Sequence, residues 1–266
     1  MPSDYKSRWT TSGPGRRRKA SVFVLYSRTV EAFCMGIGES QFVENPEPRC
    51  PVVLILDASS SMRGDPIASL NEAVSLFRSE IAADATASLR VEVAIITFGG
   101  GVNFAQDFIS ICDFSPHPLQ AMGNTPMGAA IELAIDKIEQ RKAIYKANGI
   151  YYYRPWLWLI TDGEPSDDWM PAARRIKRGE EQKSFLFFAV GVRRANMELL
   201  KDLCSPKRPP IKLSGLRFKE MFLWLSASMK RASASKPIER PVDLSPNAQD
   251  QIALPPIDGW GTVSNQ

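Results

Sequence analysis

The sequence predicts an α/β fold: a doubly wound, mostly parallel sheet flanked by helices on both faces. Three observations carry this. Three runs, Val52 to Leu56, Trp156 to Ile160 and Phe185 to Val190, are continuously apolar, as strands covered on both faces must be, and Val91 to Thr97 is mostly so. Between them lie segments whose apolar residues recur at steps of three and four, the period of a one-sided helix. Polar residues able to bind a ligand follow directly after two of the runs, where such sheets open their crevice.

Taken in order, the first strand runs from Val52 to Leu56. Ile67, Leu70, Val74, Phe77 and Ile81 then draw one apolar stripe along a helix. Val91 to Thr97 is the second strand, and Phe108 to Phe114 reads as a short third near an edge. Met127, Ile131, Ala134, Ile135 and Ile138 mark the next helix. The strands at 156–160 and 185–190 enclose a helix near Met170 to Glu181. Ile211 to Leu213 is a last short strand, and Phe218, Met221, Phe222, Leu225 and Met229 form one face of a closing helix. Trp156 and Trp158 are expected in the core, whereas Tyr151, Tyr152 and Tyr153 precede the strand and could face a partner.

The ends read differently. Residues 1–44 are polar and basic, then apolar without periodicity, and form an N-terminal extension. Asn45-Pro46-Glu47-Pro48-Arg49-Cys50-Pro51 is a proline-rich linker into a main domain over 45–232. Residues 233–266 turn to Ser, Pro and polar types, a loosely packed tail. The chain has 266 residues with 44% apolar and 23% charged content, ordinary for a soluble globular protein. A net charge of +4 builds no strong field for nucleic acid. The basic block Arg16-Arg17-Arg18-Lys19 is short enough for a solvated tail. Cys34, Cys50, Cys112 and Cys204 lie far apart, and with the single His117 they assemble no zinc pattern, so they read as small core thiols in a reducing cytosol. Residues 20–37 carry Arg28 and Glu31 and make a poor membrane span.

Asp57, Ser59 and Ser61 follow the first strand, in Leu56-Asp57-Ala58-Ser59-Ser60-Ser61. Thr125 stands in Gly123-Asn124-Thr125-Pro126-Met127-Gly128, and Asp162 in Ile160-Thr161-Asp162-Gly163-Glu164 after a later strand. Each has an ordinary reading by itself. An aspartate followed by serines can cap a turn, Thr125 can cap the helix that follows Pro126, and Asp162-Gly163 is a common turn pair. Together they form a set of hard oxygen donors at the carboxyl ends of two strands. Such a set suits Mg²⁺, with Mn²⁺ as the alternative. Ser60 falls between two donors and should point away.

This combination resembles the metal-ion-dependent adhesion site of von Willebrand factor A domains, whose fold is Rossmann-like. The resemblance implies that Ser59, Ser61 and Thr125 offer hydroxyl oxygens to the ion and that Asp57 and Asp162 reach it through water. One coordination position is then open for a carboxylate of a partner protein. A closer resemblance, over about residues 35–245, is to the TerY-type bacterial family. It is carried by Asn45–Pro51, by Gly149-Ile150-Tyr151-Tyr152-Tyr153-Arg154-Pro155-Trp156, and by Phe222-Leu223-Trp224-Leu225-Ser226-Ala227-Ser228-Met229. That family accompanies tellurium-resistance and stress-response genes. It implies a cytoplasmic protein working beside kinase-like and phosphatase-like proteins. Proteins of this type start shortly before the Pro-Glu-Pro-Arg-Cys-Pro run, at about the distance of Met35, so residues 1–34 read as lying upstream of the start.

The expected function is a Mg²⁺-dependent protein-interaction module, with no catalytic residues and neither nucleic acid nor membrane as partner. The alternative is a Mg²⁺-dependent phosphatase or phosphotransferase with Asp57 as nucleophile. Haloacid-dehalogenase-like enzymes of that kind need a second aspartate two residues on, where this chain has Ser59. There is also no glycine-rich loop ending in GK[ST].

Overall fold

The computed structural model describes residues 42, 44–235 and 256–263. The chain divides into two compact units, Met1–Glu44 and Asn45–Gln266, and all strands of the sheet belong to the second. Arg16–Lys19, Cys34 and Met35 lie outside the described residues, as do residues 236–255 of the expected tail.

The elements follow the apolar pattern. They are β1 (Cys50–Asp57), α1 (Asp65–Ala82), the single turn α2 (Ala87–Arg90), β2 (Val91–Phe98), β3 (Val102–Ser110), α3 (Met127–Ala147) and β4 (Trp156–Thr161). Then come α4 (Met170–Glu181), β5 (Leu186–Gly191), α5 (Met197–Leu203), β6 (Ile211–Leu213), α6 (Phe218–Ala234) and β7 (Gly261–Val263). The sheet order is β3-β2-β1-β4-β5-β6-β7, parallel except for the two edge strands β3 and β7. The doubly wound, mostly parallel sheet is thus the observed architecture. Every residue of β1, β4 and β5 is buried, which is why those runs carry no polar alternation. α1, α2 and α6 cover one face, and α3, α4 and α5 cover the other.

The structure departs from the sequence pattern in three places. The third strand spans Val102–Ser110, ahead of the apolar run at 108–114, because an edge strand keeps its alternation and exposes every other residue. The C-terminal segment is no loose tail where it is described. α6 continues to Ala234, and β7 pairs with β6 while Trp260, 3% exposed, packs on Trp224 with ring centroids 5.5 Å apart. Trp224 in turn meets Trp158 of β4 at 5.7 Å, so an aromatic chain ties this segment to the core. The expected outward-facing tyrosines divide. Tyr151 is exposed, but Tyr153 is buried and donates its hydroxyl to the Ser233 and Ser235 carbonyls at 2.9 and 2.6 Å. Cys50 and Cys204 are core thiols as expected, both pushed up to about 12 by burial, whereas Cys112 is exposed.

The proline-rich run is tied down by charge rather than acting as a free linker. Glu92, at the start of β2 and 4% exposed, accepts from Arg49 Nε at 3.0 Å, from Arg141 Nε at 2.9 Å and from the Tyr145 hydroxyl. Burial, then the Glu92 charge, push the Tyr145 phenol well above its ordinary value, so it serves as donor. Arg90 joins Glu47 at 2.8 Å to the Tyr153 hydroxyl at 3.0 Å. This network closes the amino-terminal end of the sheet, opposite the crevice. Removing the carboxylate leaves two guanidinium groups facing each other in a buried space. Glu92→Ala is therefore expected to cost about 3–5 kcal/mol of stability, read by urea unfolding. A loss within the range of a surface substitution would show that water replaces the carboxylate.

Candidate metal centre

Chain order in the sheet creates the crevice. From β1 the chain proceeds to β2 and β3 on one side, whereas β4 and all later strands lie on the other. The carboxyl ends of β1 and β4 therefore flank the switch point, where loops diverge and leave a gap. Parallel pairing with Leu56 opposite Ile160 brings Asp57 and Thr161 level.

Asp57 is fully buried. Its Oδ1 accepts from Ser59 N at 2.8 Å, and its Oδ2 accepts from Thr161 Oγ1 at 2.6 Å. Ser59 Oγ lies 2.9 Å from Ser61 Oγ, and Ser61 Oγ donates to Asp162 Oδ1 at 2.5 Å. A Cβ at Gly163 would stand 3.4 Å from Thr125 Oγ1 and 3.6 Å from Ser61 Oγ, which puts the threonine hydroxyl beside the same group. The structure thus brings together Asp57, Ser59, Ser61, Thr125 and Asp162. Ser61 is exposed and forms the mouth, while Ser59, Thr125 and Asp162 are buried behind it. Ser60 is exposed and joins in only through its backbone.

The capping roles open to these hydroxyls are not taken. The helix after Pro126 has no side-chain cap at its first position. Asp167 instead accepts from Gly128 N at 3.0 Å and from Ala129 N at 2.8 Å. Ser59 precedes the 3₁₀ turn Ser60–Met62 and makes no side-chain cap bond to it. Asp57 does form an Asx-type turn with Ser59 N, but its second oxygen reaches across to β4.

Backbone bonds lock the loops together. Ser60 N donates to Gly123 O at 3.0 Å, Met122 N to Ala58 O at 2.8 Å, Gly100 N to Asn124 O at 3.1 Å and Ser166 N to Thr125 O at 2.8 Å. This packing needs glycine. A Cβ at Gly99 would sit 2.1 Å from Ala58 O, and one at Gly123 would sit 2.2 Å from Gly100 Cα. Two contributors escaped the sequence reading. Thr161 holds Asp57, and the run Gly99-Gly100-Gly101 backs the site. The triple glycine was a readable signal, whereas Thr161, the last residue of β4, gives no local sign that it reaches Asp57.

The donor set is all oxygen, with hydroxyls outnumbering carboxylates. Among the described residues no group of three or more His, Cys, Asp or Glu converges. Hard neutral donors beside two carboxylates fit a small divalent cation such as Mg²⁺ far better than a soft one.

A family model for the von Willebrand factor type A domain matches residues 52–214. The chain belongs to this family. Among solved structures, the pilus adhesin SpaC from Lactobacillus rhamnosus GG in its open conformation is similar at 14% identity and a TM-score of 0.55, covering 69% of this chain and 30% of that one. The BatB protein from Bacteroides thetaiotaomicron is similar at 17% identity and a TM-score of 0.45, covering 68% of this chain and 98% of that one. The ArnB paralog VWA2 from Sulfolobus acidocaldarius is similar at 14% identity and a TM-score of 0.46, covering 69% and 45%. At these identities the likeness to SpaC speaks for the fold. The chain spans between 30% and 48% of the length of the first three solved relatives. A search of curated protein sequences found no significant match.

Burial, the dominant cause, holds the Asp57 carboxyl above its ordinary value, with a small further push from Asp162. The bonds from Ser59 and Thr161 pull the other way without prevailing. Because the folded protein keeps that proton more tightly, this stabilisation is complete below the unfolded value of about 3.9 and is lost as pH rises through the folded one. In chelator, Asp57→Asn should therefore match or exceed the wild type in stability at about pH 7, with the advantage shrinking towards about pH 4. Urea unfolding at both values checks this, and a variant less stable at both would show that the hydrogen bonds outweigh desolvation. Gly123, at φ 67°, is the backbone test. Gly123→Ala should lose about 1–3 kcal/mol from conformation alone, plus the clash with Gly100, read as a lower thermal midpoint.

Proposed function

We propose that this domain is an ion-dependent protein-interaction module. Asp57, Ser59, Ser61, Thr125 and Asp162 hold Mg²⁺, with Mn²⁺ as a substitute, and an acidic side chain of a partner protein completes the coordination. The observation that carries this reading is the diversion of the hydroxyls of Ser59, Ser61 and Thr125 from local capping into one cluster with two carboxylates at the switch point. The ion supplies positive charge and an acceptor site for an oxyanion. The chain's own residues shape and orient that site: Thr161 and Ser59 N aim the Asp57 carboxylate, and the glycine-backed loops keep the donors close. Family membership supports an interaction role, and one structural relative is described as a pilus adhesin.

The finer reading comes from the TerY-type motifs: a cytoplasmic bacterial protein of a stress or tellurium-resistance system, acting beside kinase-like and phosphatase-like partners. Among the described residues no helix is long and apolar enough to cross a membrane. In this reading the chain is no enzyme. Asp57 is fully buried with both oxygens engaged, a poor state for a nucleophile, and Ser59 stands where an acid–base carboxylate would be required.

Isothermal titration of Mg²⁺ and Mn²⁺ into the full chain tests the reading. One ion per chain is expected for the wild type and none for Asp57→Ala, with circular dichroism showing the variant folded. Wild-type protein that takes up no ion, even with glutamate present as a carboxylate donor, would overturn it.

A further inference from the structure

A cleft of about 500 Å³ opens beside the site, between the β2–β3 edge of the sheet and the loop that follows β3. Its floor is Ile95, Thr97 and Ala105, with Thr97 paired to Asn103 across the two strands. Phe114, His117 and Met122 belong to the facing wall. The cleft begins at the ion site itself. Ala58, set between Asp57 and Ser59, lines it together with Gly99 and Met122, and Met122 N bonds to Ala58 O.

The wall is held in place. From α1, Asn71 donates to Leu119 O at 3.1 Å and accepts from Leu119 N at 2.8 Å, a two-bond clamp on one loop residue. Arg78, also of α1, donates to Phe114 O and to Cys112 O, each at 3.2 Å, and the Phe114 ring is anchored in the core at 2% exposure. On the floor side, register shifts between Val93 and Ile95 and between Ile95 and Ile96 bend the edge strand, as bulges beside binding sites do. A rim clamped on one side and bent on the other is a preformed concavity rather than a loose loop.

Its chemistry selects what can enter. Among the described residues no Asp, Glu, Lys or Arg lines the cleft; its polar groups are amides, hydroxyls and His117, interleaved with Phe114, Leu119 and Met122. An uncompensated charge loses solvation there, whereas peptide groups find partners and an apolar side chain finds contact area. The volume exceeds that of a single side chain and lies in the range of about 300–1,000 Å³ usual for ligand sites.

We propose that this cleft is the specificity subsite for the protein segment whose carboxylate reaches the hydroxyl cluster. It takes an uncharged stretch adjoining that acidic residue, centred on one large apolar or aromatic side chain. The inference rests on the ion-site reading, and the two can fail separately.

The test is a combinatorial peptide library selected on the full chain in Mg²⁺ and in chelator, with Ala105→Trp as a parallel target. Ala105 is exposed on β3, so the indole fills the cleft from outside the core; Asn103→Phe is a second plug from the neighbouring exposed position. Thermal midpoints and Mg²⁺ titration show that both variants keep the fold and the ion. Expected are Mg²⁺-dependent peptides with Asp or Glu and one large apolar residue at a single fixed spacing, losing about tenfold or more in affinity on either plug. Acidic peptides with no fixed apolar neighbour, or equal binding to the plugged variants, would overturn the subsite and leave the ion site standing. Selection indifferent to Mg²⁺ would remove both.

Discussion

Asp57 is an ionisable group placed where ionisation is expensive, and the rest of the site follows from how that cost is met. A carboxylate buried at the end of β1 must be hydrogen-bonded, and Ser59 N and the Thr161 hydroxyl donate to its two oxygens. The first fixes the turn that carries Ser59 and Ser61 back over the strand end. The second joins β1 to β4 at the height where the loops part. Even so satisfied, the group keeps a raised proton affinity. A nearby positive charge would relieve it, and a divalent ion among the facing oxygens is the simplest source of one.

The two ends of the sheet meet the same difficulty in opposite ways. At the amino-terminal end, Glu92 is neutralised permanently by Arg49 and Arg141, with a tyrosine hydroxyl as third donor. That end is finished by the chain's own cations and serves stability. At the carboxyl end, among the described residues, Asp57 and Asp162 accept from hydroxyls and a backbone amide rather than from cations. In the proposed reading an ion from outside the chain would meet that charge.

The loops that shape the site are held by backbone contacts too close for side chains. Gly99 against Ala58 and Gly123 against Gly100 let three connections from separate parts of the chain stack above the strand ends. The same stacking leaves the space between β3 and the clamped loop at 112–122 unfilled. Site and cleft share a wall because both are made by the way the chain leaves β1 and β2 for the edge of the sheet.

Much of this was legible in the sequence, for physical reasons. Strands buried on both faces are largely apolar, so β1, β2, β4 and β5 announced themselves, and with them the carboxyl ends where Asp57 and Asp162 stand. The five oxygen-bearing residues that the structure brings together could be picked out because hydroxyls and carboxylates in that order are rarely accidental as a set. Edge elements were less readable. β3 exposes three of its nine residues and buries only one, and β7 is three residues long, held by Trp260 through an aromatic contact that no local pattern encodes. Residue types and their order were enough to specify the alternation of strand and helix and which oxygen-bearing residues gather at the strand ends. Only tertiary structure decided that the hydroxyls turn to one another instead of capping helices, that Thr161 holds Asp57, and that Arg49 is buried against Glu92. Those outcomes depend on which strands lie side by side, and strand order is set by packing over the whole sheet rather than by any stretch of neighbouring residues.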